Sequence, residues 1–418
     1  MSAKHANTAA VRLPWVHSTR LHVILYSMLL VATPFLMLRS FLQSAIGQIS
    51  IYTFELGGLP IVLVPTVALL VAIALIVALR AQITKRRILA VVVAFLMIAL
   101  TQQIADFYVG HNFYDLQHNW HYFAYAIFAY MVYRDLAPRG VSLANIMLVT
   151  YWAALLFSTF DEAFQKGMSN RVFDIGDIAK DSWGSLLGMT FLYLGGTRAG
   201  SLLDQWRPLR HRRLRDYLTH APSLYVLMMV LTLLLVCNGS LLTDFEHWPT
   251  VALLTVGGFV VFFVLFHISQ YKPAKYSLLT VLIVGVLVQA YFFVKYRSDQ
   301  IVYNRYGLTV YKGIPIVFYD VMIFPDGTFR LVDKKHYFNS RDQTFFAKFK
   351  PDIILIGSGA EGRGGRGFIK ESPHQFIYNP HTERGTQVII LRTPEACQVF
   401  NRLKRERKNV LFVLHNTC

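Results

Sequence analysis

Apolar segments recur from residue 21 to residue 295 of this chain, and a membrane-spanning helix bundle is the fold that accommodates them. They lie at approximately 21–38, 57–79, 88–105, 118–136, 143–164, 177–196, 222–241, 248–268 and 276–295. A hydrocarbon core of about 30 Å is crossed by about 20 helical residues. The first segment follows twenty mixed residues without a small-residue cleavage site, so it reads as a retained helix. The chain has 418 residues, is 54% hydrophobic and has a mean hydropathy of +0.41, which agrees with a polytopic protein. From residue 296 onward the pattern changes to short β-branched runs and turns. The expected fold is therefore mainly α: a polytopic bundle of about nine transmembrane helices, then a small mixed α/β domain. Composition divides the chain into a bundle at 1–196, a basic connector at 197–221, a three-span block at 222–295 and the small domain at 296–418.

The net charge of +17 invites a nucleic-acid reading, but its distribution argues against one, because many of the basic residues sit in short connections between spans. Lys4, Arg12 and Arg20 precede the first segment, and Arg80, Lys85, Arg86 and Arg87 follow the second. Arg134 and Arg139 follow the fourth, Arg207, Arg210, Arg212, Arg213 and Arg215 the sixth, and Lys272 and Lys275 the eighth. With nine alternating spans and a cytoplasmic N-terminus all of these fall inside, as the positive-inside rule requires. The opposite connections carry Asp106, Asp115, Asp244 and Glu246. An odd number of spans then puts the C-terminal domain outside the cytoplasm.

Three successive segments are too short to span unless they take polar residues in with them. Their apolar runs are 122–133, 145–160 and 182–196. The flanks that must supply the missing turns hold His118 and His121, then Asp161, Glu162 and Gln165, then Asp174, Asp177 and Asp181. An ionisable group at a helix centre costs roughly 2.5–3.5 kcal/mol, so such groups face a bundle interior or wet cavity and mark function. Spacing sharpens the assignment. His121 and Tyr125 share a face at i, i+4, as do Asp161 and Gln165. Asp174, Asp177, Asp181, Gly184 and Gly188 form one stripe, whose glycines let a neighbouring helix approach closely.

In HYFAY (His121, Tyr125), DEAFQ (Asp161, Glu162, Gln165) and RVFDIGDIAKDSWGSLLG (Arg171, Asp174, Asp177, Gly184, Gly188), residues 85–196 resemble the VanZ-like family of bacterial membrane proteins. The sequence departs from that pattern at 117–120, where the family often has an Asp-Lys pair, and at Asp181, where it usually has Asn. The resemblance implies a cell-envelope setting, in the bacterial plasma membrane, and no settled reaction. Three roles are open to the cluster: a hydrogen-bonded and ion-paired network pinning three helices, a site for a polar or lipid-linked ligand, or an acid/base or metal site. In the last, His118, His121, Glu162 and Asp177 offer ligands, but no compact zinc signature is present, and neither a metal nor a cofactor is expected.

In the last third, strands are expected near 308–324 and 327–333, joined by a turn at Pro325, Asp326 and Gly327. Buried strands are expected at 352–356, 386–391 and 409–414. Between the last two, Thr393 as N-cap and Pro394 at the first position open a helix whose Ala396, Val399, Phe400 and Leu403 share a face. Strand, helix and strand in this order imply a right-handed crossover and a parallel pair. Gly357, Gly359 and Gly362 spell GxGxxG after a strand, but the continuation through Arg363 and Arg366 is too glycine-rich to open the helix a dinucleotide site needs. It reads as a solvated loop, with anion binding as a weaker alternative. Cys397 and Cys418 are compatible with a disulfide and do not require one.

The turn at 324–327, the strand and loop at 351–359 and the closing helix and strand at 393–414 resemble a small α/β family that includes a mitochondrial complex I assembly factor. That resemblance implies a protein-contact or assembly role and supplies no catalytic residues. The function expected is that of a non-enzymatic envelope protein, binding a polar or lipid-linked ligand at the acidic/His cluster, with a tail that docks a partner. Two alternatives are an accessory or assembly subunit of a larger membrane complex, and an enzyme acting on lipid head groups with Glu162 as base and His121 or a bound metal as electrophile. Expected partners are membrane lipids and a protein held through the C-terminal domain or residues 222–295.

Overall fold

The computed structural model describes residues 18–36, 40–104, 115–166, 173–196, 202–206, 210–242, 248–298, 300–368 and 375–417. Its helical part begins with α1 (Thr19–Leu36), α2 (Ser40–Ile51), a hairpin of β1 (Thr53–Leu56) and β2 (Leu59–Val62), and α3 (Leu63–Leu79). It continues through α4 (Lys85–Ile104), α5 (Leu116–Leu136), α6 (Leu143–Gln165) and α7 (Ile175–Leu194). The connector holds short α8 (Leu202–Gln205) and α9 (Leu214–Thr219), before α10 (Ala221–Leu241), α11 (Trp248–Ile268) and α12 (Lys272–Lys295).

Each expected span overlaps a helix, although residues 57–62 of the second form the turn and strand β2 ahead of α3. Yet among the described residues five helices are long and apolar enough to cross a membrane: α4, α6, α10, α11 and α12. The count of nine crossing helices is thus not supported by length and composition. In α1 and α3 the apolar stretches are shorter, at 19–33 and 63–78. The other two expected spans are polar: α5 carries His121, Arg134 and Asp135, and α7 carries Asp177, Lys180, Asp181, Ser182 and Ser185.

That polarity is sheltered by packing. α7 is buried along nearly its whole length, against α4, α5, α6 and α10. Its small hydroxyls bond back to their own helix, Ser185 Oγ to the Ser182 carbonyl (2.7 Å) and Thr190 Oγ1 to that of Leu186 (2.8 Å). Trp183 donates from Nε1 to the Met97 carbonyl on α4 (3.2 Å). At Gly184 and Gly188 an added Cβ would lie 2.7 Å from the His121 carbonyl oxygen and 2.6 Å from that of Ala126, so the glycines set the approach of α5. The expected three-span block is divided. α10 joins the core, where Thr232 bonds to the Tyr151 hydroxyl at 2.8 Å. α11 buries only Val251 and Thr255, and α12 buries nothing.

The tail has a three-stranded antiparallel sheet of β3 (Ile301–Arg305), β4 (Leu308–Tyr311) and β5 (Ile314–Val317). A six-stranded mixed sheet is built from β6 (Asp320–Ile323), β7 (Phe329–Val332), β8 (Ile353–Gly357), β9 (Gln375–Asn379), β10 (Arg384–Leu391) and β11 (Val410–Leu414). Its order is β7-β6-β11-β8-β10-β9. Helices α13 (Ser340–Ala347) and α14 (Thr393–Arg405) lie between strands in the chain. β8 and β11 are buried at every residue, as central strands covered on both faces are. Val410, Phe412 and Leu414 face Ala396, Phe400 and Leu403 of α14, while Leu411 and Val413 face Phe338, Phe346 and Leu241, the last residue of α10.

The expected run 308–324 resolves into three strands, because Lys312 and Gly313 and then Phe318 take positive φ and turn the chain. The turn at 325–327 forms as expected, with Gly327 at φ +79. β10 and β11 do run parallel, but β8 lies between them and pairs with both. Thr393 is not an N-cap. Arg392 occupies that position, and Thr393 Oγ1 donates to the His415 carbonyl (2.8 Å) and accepts from Gly359 N (2.8 Å).

The tail sits on the end of the bundle where α4 and α10 finish. Arg330 Nη2 donates to the carbonyls of Gln102 (3.2 Å) and Gln103 (3.3 Å), groups a helix C-terminus leaves unsatisfied. The Tyr319 hydroxyl donates to Asn238 Oδ1 (2.9 Å) and Lys334 N to the Leu241 carbonyl (3.2 Å). Burial at this junction lowers the Arg330 guanidinium to about 10 and raises the Tyr319 hydroxyl to about 12.

Candidate functional site

The N-termini of α5 and α7 and the C-terminus of α6 meet at the same end of the bundle, and the acidic cluster forms there. Asp174 is the N-cap of α7, its Oδ1 accepting from Gly176 N at 2.7 Å, and Asp177 lies in the first turn, where the helix dipole favours negative charge. Glu162 reaches across from α6 and accepts from Asp174 N through Oε2 (2.7 Å), which ties the two helix ends together. Gln165 donates to Glu162 Oε1 at 3.0 Å and, at a long 3.4 Å, to Asp161 Oδ2.

One turn deeper, Asp181 is the most buried of the acids on α7. Its Oδ1 meets His121 Nδ1 at 2.9 Å and its Oδ2 accepts from Ser158 Oγ at 2.6 Å. His121 Nε2 lies 3.9 Å from Asp177 Oδ1, and Lys180 Nζ donates to that same oxygen at 2.9 Å. Buried Tyr125 lies against Ser158 and Asp181. Two groups thus lie at one end of the bundle, His121, Tyr125, Asp177 and Asp181 in one and Glu162, Gln165 and Asp174 in the other. One acceptor stands apart: Asp161 Oδ1 is buried and has no hydrogen-bond partner among the described residues.

Two residues of the network were not anticipated. Lys180 is buried at 7% exposure and supplies the positive charge beside Asp177, and Ser158 supplies a donor to Asp181. A lysine three residues after Asp177 on the same helix was the available signal for the first. Arg171 lies outside the described residues, as does the side chain of His118. Among the described residues, Lys180 pairs with Asp177 and His121 with Asp181. No group of three His, Cys, Asp or Glu is arranged to hold a metal among the described residues; of the weaker metal set, His121 and Asp177 lie 3.9 Å apart while Glu162 is engaged with Asp174 N.

The glycine loop is no dinucleotide site. After β8 the chain turns through Gly359 and Gly362 without opening a helix. Arg363 pairs with Glu361 at 2.6 Å in solvent, and Arg366 exchanges backbone bonds with His336 and Phe338. Cys397 is a buried free thiol held up to about 12 by burial, and Cys418 lies outside the described residues.

Beneath the loop, His415 Nδ1 and Asp320 Oδ2 form a fully buried pair at 2.6 Å, with Asp320 Oδ1 accepting from Asn416 N at 2.8 Å. Gly364 packs on the imidazole so closely that a Cβ would lie 2.5 Å from its Cδ2.

Among curated proteins none matches the chain. A solved structure titled "MT938" is 21% identical, over 28% of this chain and 98% of that one, with a TM-score of 0.23. Residues 301–415, from the first residue of β3 to the histidine just beyond β11, match the model of a family described as protein of unknown function (DUF498/DUF598).

Proposed function

We propose that this is a non-enzymatic membrane protein whose bundle binds a polar or lipid-linked ligand at the acidic cluster and whose tail docks a protein partner. The observation that carries the reading is Asp161 Oδ1, a buried acceptor without a partner at the edge of an otherwise engaged acidic network. A ligand presenting amine or hydroxyl donors would satisfy it. The VanZ-like resemblance of residues 85–196 agrees with an envelope lipid or cell-wall precursor as the source. Protein extracted in mild detergent is expected to carry such a lipid, identified by mass spectrometry. Asp161→Asn should lose it while staying folded. Retention at the parent's level rejects the reading.

We further place α1, α3, α5 and α7 in the membrane with the five apolar helices, the polar pair sheathed by its neighbours. Alternation from a cytoplasmic N-terminus then leaves the tail outside. A cysteine at Glu361, an exposed loop position, is expected to react with an impermeant maleimide in intact cells. Labelling only after lysis reverses the assignment.

A second reading is an accessory or assembly subunit, favoured by α12, which buries no residue within the chain, and by the resemblance of the tail to the family that includes an assembly factor. Here the uncovered helices face other subunits. Mild-detergent purification that yields the chain alone, without co-purifying subunits, counts against it.

A further inference from the structure

At the end of the bundle opposite the tail, where α10 starts, α11 ends and α12 starts, a cavity of about 780 Å³ opens between these helices and the connector. Its mouth is cationic. Arg210, Lys272 and Lys275 line it and are exposed, and no Asp or Glu is among the lining residues. The nearby Asp216 is engaged with the backbone N–H groups of Arg212 and Arg213, both at 2.9 Å.

The inner wall is ordered by hydrogen bonds. Gln270 clamps the His211 backbone, accepting from its N–H (2.8 Å) and donating to its carbonyl (2.9 Å). Ser223 Oγ sits between two imidazoles, 2.8 Å from His211 Nε2 and 2.7 Å from His220 Nδ1. A hydroxyl can donate to one and accept from the other. When His211 donates to Ser223 and Ser223 to His220 Nδ1, the proton of His220 resides on Nε2. That nitrogen is buried without a partner among the described residues, on a residue lining the cavity. Apolar Val226 and Phe266 continue the wall along the helices, and Trp206, 61% exposed, stands at the rim.

We propose that this cavity binds a phosphate group. Three cations with no carboxylate partner among the described residues, and an imidazole nitrogen able to carry a proton, suit a phosphate's oxygens, and basic pockets between membrane helices recognise anionic head groups. The apolar wall below the cations and the interfacial tryptophan fit the acyl region of a lipid, so an anionic phospholipid is the principal occupant and a soluble phosphate compound the other source. The site is independent of the acidic cluster at the far end.

The test uses the full-length protein in nanodiscs and native mass spectrometry or thermal shift with three probes: phosphatidylglycerol, phosphatidylcholine and inorganic phosphate. Preferential binding of phosphatidylglycerol is expected. Each cation near an anionic group contributes about fivefold, so Arg210→Gln, Lys272→Gln and Lys275→Gln together should weaken it on the order of a hundredfold. Arg212→Gln, on the same connector but outside the cavity, should leave it unchanged. Competition by millimolar phosphate without lipid preference assigns a soluble phosphate compound and retains the site. Equal binding of both lipids with no response to phosphate overturns it, as does an equal loss in the Arg212→Gln control.

Discussion

Asp181→Asn and Asp161→Asn make the same chemical change twenty residues apart within one cluster, and the structure assigns them opposite consequences. Asp181 has a side chain 3% exposed that holds both His121 and Ser158. Removing one member of a buried pair costs about 3–5 kcal/mol. Asparagine keeps the volume and one acceptor for Ser158, and His121 retains Asp177 at 3.9 Å, so the lower end, about 3 kcal/mol, is expected. Among the described residues Asp161 holds only Gln165, at 3.4 Å, and sits beside other carboxylates. Its neutralisation should change stability by no more than about 0.5 kcal/mol. A gap of about 3 kcal/mol is roughly two orders of magnitude in the unfolding equilibrium. Denaturant titration in mixed micelles, followed by the near-ultraviolet dichroism to which buried Trp183 contributes, measures both. Asp181→Asn as stable as the parent, or Asp161→Asn as damaged as Asp181→Asn, refutes the division of the cluster into a structural half and a ligand-facing edge.

Gly188→Val should separate α5 from α7 and destabilise by about 1–3 kcal/mol, seen as a lower midpoint in the same titration. Arg330→Ala removes charge-assisted bonds to the last carbonyls of α4, each of which contributes about 1.5–3 kcal/mol; hydrogen exchange should accelerate at Lys334 N while the amides of β8 keep their protection. Asp326 accepts from Thr328 N and Oγ1, which hold its carboxyl below the usual range. Because the folded value is the lower one, its contribution is present above the ordinary carboxylate range and lost as pH falls through the folded value. Asp326→Asn should therefore flatten the acid limb of the tail's stability profile.

Much of this was legible because the relevant signals are periodic. Residues 174, 177, 181, 184 and 188 declare one helix face, and the close approach of α5 follows from its glycines. The apolar runs of β8, β10 and β11 are bounded by polar turns, which fixed their place in the chain but not their order in the sheet. Insertion of β8 between β10 and β11 depends on long-range pairing that no local pattern encodes. Lys180 lies three residues after Asp177 on α7, so helical spacing alone sets the two side by side; it escaped notice because the acids at 174, 177 and 181 defined the stripe. α10 looked like an ordinary apolar span, but Thr232 and Asn238 bond to Tyr151 and Tyr319, and these contacts draw it into the core. Thr393 had the composition of a cap, yet its hydroxyl is used between strands.

The position of β11 between β6 and β8 governs the order in which the molecule can be made. Residues 410–414 are the latest-synthesised strand and also a central one, so the sheet has a gap through its middle until they leave the ribosome. By then α12, long and apolar enough to cross a membrane, has already been synthesised. The tail's sheet must consequently close after the helices are made, and a nascent chain interrupted anywhere before Val410 would yield a helical part carrying an open, aggregation-prone half-sheet.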